Sequence, residues 1–140
     1  MALLLKVMSD RLVDNMTVVP RMKSAKLADD DAGSTVFVWL VDDTAGKSAL
    51  HAVATLTSFQ ALTVPQVRDP TKKKDAYRLV LDDIRTQILH PLTVGDLGPY
   101  NYVEGADGIE SLGRIHRDRN DKIMRLTGAE AAVLEERFTH

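Results

Sequence analysis

Apolar residues along this chain gather in short β-branched runs, with little recurrence at helical spacing, and that pattern predicts strands first. Ala2 to Val7 is mostly apolar and reads as a buried strand. Thr35 to Val41 (TVFVWLV) is dominated by β-branched and aromatic side chains, the composition of a half-buried or buried strand. Asp42 to Gly46 follows with turn chemistry, and Ser48 to Phe59 alternates weakly through Leu50, Ala52, Ala54 and Leu56. A strand paired with its predecessor is the expectation there, although the alanines also permit a helix. Tyr77 to Ile84, running on towards Leu89, resumes a strand pattern. Asn120 to Leu126 is read as a further strand or helix.

Between these runs lie irregular stretches. Ser9 to Gly33, with Pro20 and the acidic cluster Asp29, Asp30 and Asp31, predicts a long connection holding at most a short helix. Pro65 to Asp75 reads as a polar loop, and Thr93 to Asp96 and Ser111 to His116 as single helical turns. The chain ends on a stronger signal. Thr127-Gly-Ala-Glu130 has the spacing of a capping box, Leu126 and Ala131 occupy staple positions, and Val133, Leu134 and Phe138 form an apolar stripe. A closing helix from Gly128 to about Arg137 is expected. Strands with short inserted helices and one terminal helix make an α+β domain built on a strongly bent sheet or small barrel.

Composition narrows this picture only at its edges. The 140 residues suit one domain, taken as 1–140, since domains run roughly 100–200 residues. The absence of cysteine excludes disulfides, thiolate nucleophiles and Cys-ligated metal sites. The N-terminal apolar run is too short for a signal sequence or a membrane span, so the expectation is a soluble cytoplasmic protein with no membrane partner.

Candidate chemistry is sparse. Gly46-Lys47-Ser48 after an apolar strand imitates the end of a P-loop, but the first glycine of that motif would have to stand at Val41. Asp42 and Asp43 would then face phosphate with like charge. His116-Arg117-Asp118 imitates a kinase catalytic loop, yet Ile123 stands where a metal-binding Asn is needed. His51, His90, His116 and His140 show no i,i+4 pairing, so no metal site is expected. The carboxylate pairs Asp42–Asp43 and Asp82–Asp83 would point to opposite faces of a strand, a poor arrangement for shared acid–base work. A metal-dependent hydrolase using Asp42, Asp43 and Asp82 is the weakest alternative. No cofactor and no catalysis are expected.

Charge is nearly balanced, with 18 Lys+Arg against 20 Asp+Glu, but it is unevenly placed. Arg68 to Arg78 and Arg114 to Arg125 each hold five cations and two acids, enough to line a groove for a phosphate backbone.

From Val36 onward the order of features resembles an EVE-type domain of the PUA-like superfamily. The resemblance rests on Val36-Phe-Val-Trp39, the turn at Gly46 and Ala52 to Leu56. It continues through His90 to Leu97 and Arg114-Ile-His-Arg117 to Ile123, and ends at Leu126-Thr-Gly-Ala-Glu130 to Phe138. It covers roughly Val36 to Phe138 and is similar to modified-base-reading domains fused to HNH nucleases. It implies a small bent barrel that binds nucleic acid, favouring methylated DNA such as 5-methylcytosine over RNA. The base would be flipped into a pocket. Trp39 would then be the pocket platform, with Ser9 and Asp10 at its edge, and a nuclease partner would act in trans. A lone Trp in an apolar strand is equally an ordinary core residue, and both placements stand at this point. Lys72, Lys73, Lys74, Arg117 and Asn120 would contact the backbone on grounds of charge and polarity. The rival function is a small-molecule-binding or regulatory protein-interaction module on the same barrel.

Overall fold

The computed structural model describes residues 2–22, 24–42, 47–66, 68–97, 112–113 and 121–138. Six strands form one strongly curled sheet, a half-barrel. They are β1 (Ala2–Met8), β2 (Met16–Pro20), β3 (Thr35–Asp42), β4 (Lys47–Pro65), β5 (Lys73–Arg85) and β6 (Lys122–Arg125). Their order is β2-β5-β4-β3-β1-β6. A one-turn helix, α1 (Val94–Leu97), and a terminal helix, α2 (Gly128–Glu136), complete the described elements.

β1 and β3 run parallel, and every other pair is antiparallel. A parallel pair needs a crossover of a dozen or more residues, which is what residues 9–34 supply. That stretch is more ordered than its sequence suggests. It holds 3₁₀ turns at Ser9–Arg11 and Asp29–Asp31 and, between them, strand β2, which corrects the expectation of an irregular connection. β2 is launched by a two-residue turn. Asp14 (φ 52°) and Asn15 (φ 63°) both adopt left-handed backbone, while Val13 and Met16 exchange N–H···O bonds of 3.0 Å each. Two consecutive positive-φ residues match the right-handed twist of the flanking strands.

Alternation divides the core in two. Leu3, Leu5 and Val7 of β1 join Val36, Val38, Ala52, Leu56, Leu79 and Ile123 inside the curl. Leu4, Phe37, Trp39, Leu50 and Val53 face outward and are covered by Leu92, Leu97, Leu134 and Phe138. β1 is thus buried on both faces, which explains its unbroken Leu3-Leu4-Leu5 run.

Curvature comes from extra residues. β4 carries His51 as a bulge opposite the Val38–Trp39 step, and Thr57 as a second where Leu56 faces Leu81 and Ser58 faces Val80. β5 answers with a bulge around Asp83, whose φ of 51° is left-handed. Bulges bend a strand and sharpen its twist, which a closing sheet needs.

The open edges are managed. Arg21 N–H donates to the Asp75 carbonyl and Leu81 N–H to the Asn15 carbonyl, so the odd-numbered residues of β2 bond towards β5. The even ones face away. Met16 is engaged by Val13, while Pro20 has no N–H and its carbonyl accepts from Ser24 Oγ at 2.6 Å. Residues 24 and 25 then bridge to β6: Ala25 N–H donates to the Ile123 carbonyl at 2.8 Å, and Ile123 N–H to Ser24 Oγ at 3.2 Å. A short strand with Pro at its end is a poor template for intermolecular pairing.

An ion pair fixes β6 from outside. Arg125 donates from Nη1 and Nη2 to the two carboxylate oxygens of Asp31 at 2.7 and 2.8 Å, and from Nη2 to the Lys26 carbonyl at 2.7 Å. Ala28 N–H adds a bond to Asp31 Oδ2. The Arg125 guanidinium, more than the backbone donor, holds the Asp31 carboxyl below its usual 3.8. Such a group stabilises fully above its unfolded pKa, and that contribution is lost as acidification carries it through the lower folded pKa. Arg125→Ala strands a buried carboxylate and should cost about 2–3 kcal/mol, roughly 6–12 °C in Tm, by thermal denaturation at pH 7. An unchanged Tm would show that Asp31 carries no uncompensated charge.

The helix prediction holds. Glu130 N–H donates to Thr127 Oγ1 at 3.1 Å, and Thr127 N–H to Glu130 Oε1 at 2.9 Å, closing the capping box. The helix and the turn that follows it seat Leu134 and Phe138 in the outer core, with Phe138 6.2 Å from Phe37 between ring centroids. β4 and β5 exceed their expected spans and shorten the predicted Pro65–Asp75 loop, because the hydrogen-bond ladder continues to the Pro65–Lys73 pair. β5 stops at Arg85, short of Leu89. Of the Asn120–Leu126 stretch, Lys122–Arg125 forms strand β6, and Asn120 lies outside the described residues. Most of the Ser111–His116 turn lies outside the described residues.

His51 gives a pH expectation. Burial alone lowers its pKa from 6.5, favouring the neutral ring. Below that value the unfolded chain binds the proton more readily, so stability falls as pH drops through about 6.5 and below. His51→Gln should lose less Tm than wild type between pH 7.5 and pH 5.5; an equal loss would exclude this histidine as the cause.

Candidate functional site

Past the Thr57 bulge, Ser58–Pro65 of β4 pairs with Lys73–Val80 of β5; β2 flanks β5 as far as the Pro20–Ala76 pair, and Thr63–Pro65 with Lys73–Asp75 runs on as a short two-stranded arm. The tip is built by Asp69. Its Oδ1 accepts from Thr71 N–H at 3.1 Å and from Thr71 Oγ1 at 2.6 Å, while its carbonyl accepts from Lys72 N–H at 3.0 Å. Gln66 N–H donates to the Lys72 carbonyl and closes the loop. This turn spaces Arg68, Lys72, Lys73 and Lys74 around one end of the molecule.

The arm is tied to β2 at its root. Arg21 forms an ion pair with Asp75 at 2.8 Å, and its guanidinium lies 5.8 Å from the Tyr77 ring centroid. The Tyr77 hydroxyl accepts from Leu27 N–H at 3.1 Å, and its ring meets Phe59 edge-on at 6.0 Å. Arg21 Nε is buried without a hydrogen-bond partner. Both acids near the tip are therefore engaged locally, Asp69 in the turn and Asp75 with Arg21. An open cleft of about 710 Å³ lies here, with Pro20, Arg21 and Met22 on one wall and Gln66, Lys73, Lys74 and Asp75 on the other. A second, of about 470 Å³, follows along β2 and is lined by Arg11, Val13, Met16, Val18 and Arg78 among others.

The predicted site residues do not converge as the resemblance implied. Lys72, Lys73 and Lys74 share the arm tip. Trp39 pairs with Leu50, at the other end of β4 from Pro65 and Lys73. It is 0% exposed, packs in the outer core and donates its indole N–H to Ser48 Oγ. So placed it is a core residue with no ring face open to a ligand. Ser9 and Asp10 are exposed in the turn after β1, close to the end of β3. That turn is fixed through Asp121, which accepts from Met8 N–H and pairs with Arg11. Arg117, Asn120 and the imitation motifs around Gly46 and His116 lie outside the described residues. Asp82 Oδ1 accepts from Asp83 N–H at the bulge, a local structural role. Among the described residues no cluster of three or more metal-ligating side chains forms.

Sequence reasoning missed Arg21, Met22, Met16 and Val18, because the Ser9–Gly33 stretch read as a connection. The signal was present in Asp14-Asn15, a dipeptide suited to positive φ, set between Val13 and Met16. Among the described residues no helix is long and apolar enough to cross a membrane. Searches with family models, against curated proteins and against solved structures found no match to this chain.

Proposed function

We propose that this domain binds nucleic acid without catalysing a reaction, holding the phosphate backbone with the basic tip of the β4–β5 arm. The observation that carries the proposal is one open cleft lined by Lys73 and Lys74, with Arg68 and Lys72 in the adjoining loop, where Arg21 already pairs with Asp75 and Asp69 is bonded within the turn. Phosphate contacts of this kind give affinity and register, and discrimination comes from groups that touch the bases. The curled sheet with its terminal helix is a small α+β fold, and the PUA-like, EVE-like and modified-DNA readings rest on the sequence resemblance. A flipped, methylated base would enter the cleft beside Pro20–Met22, since Trp39 offers no surface. A nuclease acting in trans would complete the system.

The second reading, a module for a small molecule or a regulatory protein, is favoured by one feature. The large apolar residues exposed among the described ones, Val13, Met16, Val18 and Met22, all lie on or beside β2. Fluorescence anisotropy separates the two. Duplexes carrying cytosine, 5-methylcytosine, 5-hydroxymethylcytosine or N6-methyladenine would be titrated at about 50 and 200 mM salt. Salt-dependent binding is expected, with about tenfold preference, roughly 1.4 kcal/mol, for one modification. No binding at the lower salt would transfer the case to the second reading.

A further inference from the structure

Thr17 and Val19 of β2 are buried inside the curl, so Met16 and Val18 point to the opposite, outer face. Register then fixes what stands beside them. Met16 is level with Val80 and Ser58, Val18 with Arg78 and Gln60, and Pro20 with Ala76 and Leu62. Lys74 and Val64 form the next row towards the tip. Successive rows are about 6.8 Å apart. The outer core covers the same side of β1, β3 and the first half of β4, but its residues do not extend here. Ala76, in the middle of these rows, is fully buried, while the larger side chains around it keep exposed surface. Met16 is 43% and Val18 37% exposed, and Leu62, Val64 and Val80 are half-buried. Two cations, Lys74 and Arg78, stand on the face itself, and it runs directly into the lysines of the tip.

We infer that this outer face of β2, β5 and β4 holds single-stranded nucleic acid, with unstacked bases lying on Met16, Val18 and Leu62 and phosphates on Lys74 and Arg78. The inference rests on the nucleic-acid reading above and goes beyond it by naming the strand state. A duplex presents phosphates at its surface and keeps its base faces stacked, so it would satisfy the cations and leave the apolar rows wet. An unstacked strand supplies both parts at once, since each base has an apolar π-face next to a charged backbone. Side chains with a thioether suit such a surface, because sulfur is polarizable and makes favourable contacts with aromatic rings. Met16, with Met22 78% exposed at the near end, puts two of them along the track.

The test is anisotropy with fluorescein-labelled 15-nucleotide dT and U strands and a 15-base-pair duplex, on the full chain at about 50 and 200 mM salt. A single strand should bind at least about tenfold more tightly than the duplex. The double variant Met16→Ser/Val18→Thr should weaken single-strand binding about fivefold or more and leave the salt slope unchanged, since stacking contributes without releasing counterions. Lys74→Ala/Arg78→Ala should instead flatten that slope by about 1.4, two contacts at roughly 0.7 each. These are exposed or half-buried positions, and unchanged circular dichroism would establish that each variant is folded. Duplex binding equal to or tighter than single-strand binding, untouched by the Met16/Val18 variant, would overturn the inference and leave the broader reading standing. Absence of binding to every oligonucleotide would overturn both. Self-association, or binding to vesicles of phosphatidylcholine and phosphatidylserine, that disappears in the Met16/Val18 variant would assign the face to another occupant and overturn the inference.

Discussion

Trp39→Ala is expected to destabilise the domain by about 3–5 kcal/mol, the range for removing a large buried aromatic side chain. The indole is fully buried among Phe37, Leu50, Leu92, Leu97, Leu134 and Phe138, and its N–H is satisfied by Ser48. Truncation would open a cavity where the sheet meets the segments covering it, and would leave the Ser48 hydroxyl without its donor. Folded domains have only about 5–15 kcal/mol in total, so Tm should fall by about 10–20 °C and the protein should be partly unfolded at 37 °C. Trp39→Phe keeps most of the packing and should retain the fold. Circular dichroism through a thermal ramp is the check. A Trp39→Ala protein that melts with wild type would show that the indole is not part of the core. It would return Trp39 to the pocket position implied by the EVE-type resemblance.

The second large effect concerns binding. Replacing Lys72, Lys73 and Lys74 together by alanine should weaken duplex binding about 10- to 100-fold near 0.1 M salt and flatten the log–log salt slope by about 2 to 3, if each contacts one phosphate. Stability should change by less than about 0.5 kcal/mol, because substitutions at an exposed tip remove no core contact. The decisive comparison is the slope. A variant that loses affinity with an unaltered salt dependence would mean the lysines act on the shape of the arm, and one that binds like wild type would remove the tip from the interface.

Much of the architecture was legible in local chemistry. The run TVFVWLV had to be a strand, and Thr127 with Glu130 marked the last helix almost to the residue, because a capping box is read from four consecutive positions. β2 was not legible. Its sequence, MTVVP, has apolar residues on both faces, so no binary alternation announces which side is buried. That missing alternation is also the reason an apolar track reaches the surface. The lysine run was visible as charge, but its use of strand geometry was not. Long side chains on an exposed ribbon are tolerated whenever the backbone ladder propagates from a well-packed root, here Tyr77 with Phe59 and Arg21. Trp39 could not be placed from sequence, since a pocket wall and a core residue have the same local pattern. Only the segments that cover β3 from far along the chain, Leu92, Leu97 and Leu134, decide it.

The bulge at Thr57 sets the phase of everything beyond it. One surplus residue on β4 moves its inward phase from Leu56 to Phe59, which is why Leu62 comes to stand on the outer side beside Ala76. Side chains alternate with a period of two, so Lys73 and Lys74 point to opposite faces of β5; inserting one residue pair between this bulge and the tip would exchange their faces, and inserting two would restore them. The arm can therefore vary in length only in even steps if Lys74 is to stay on the outer face with Arg78.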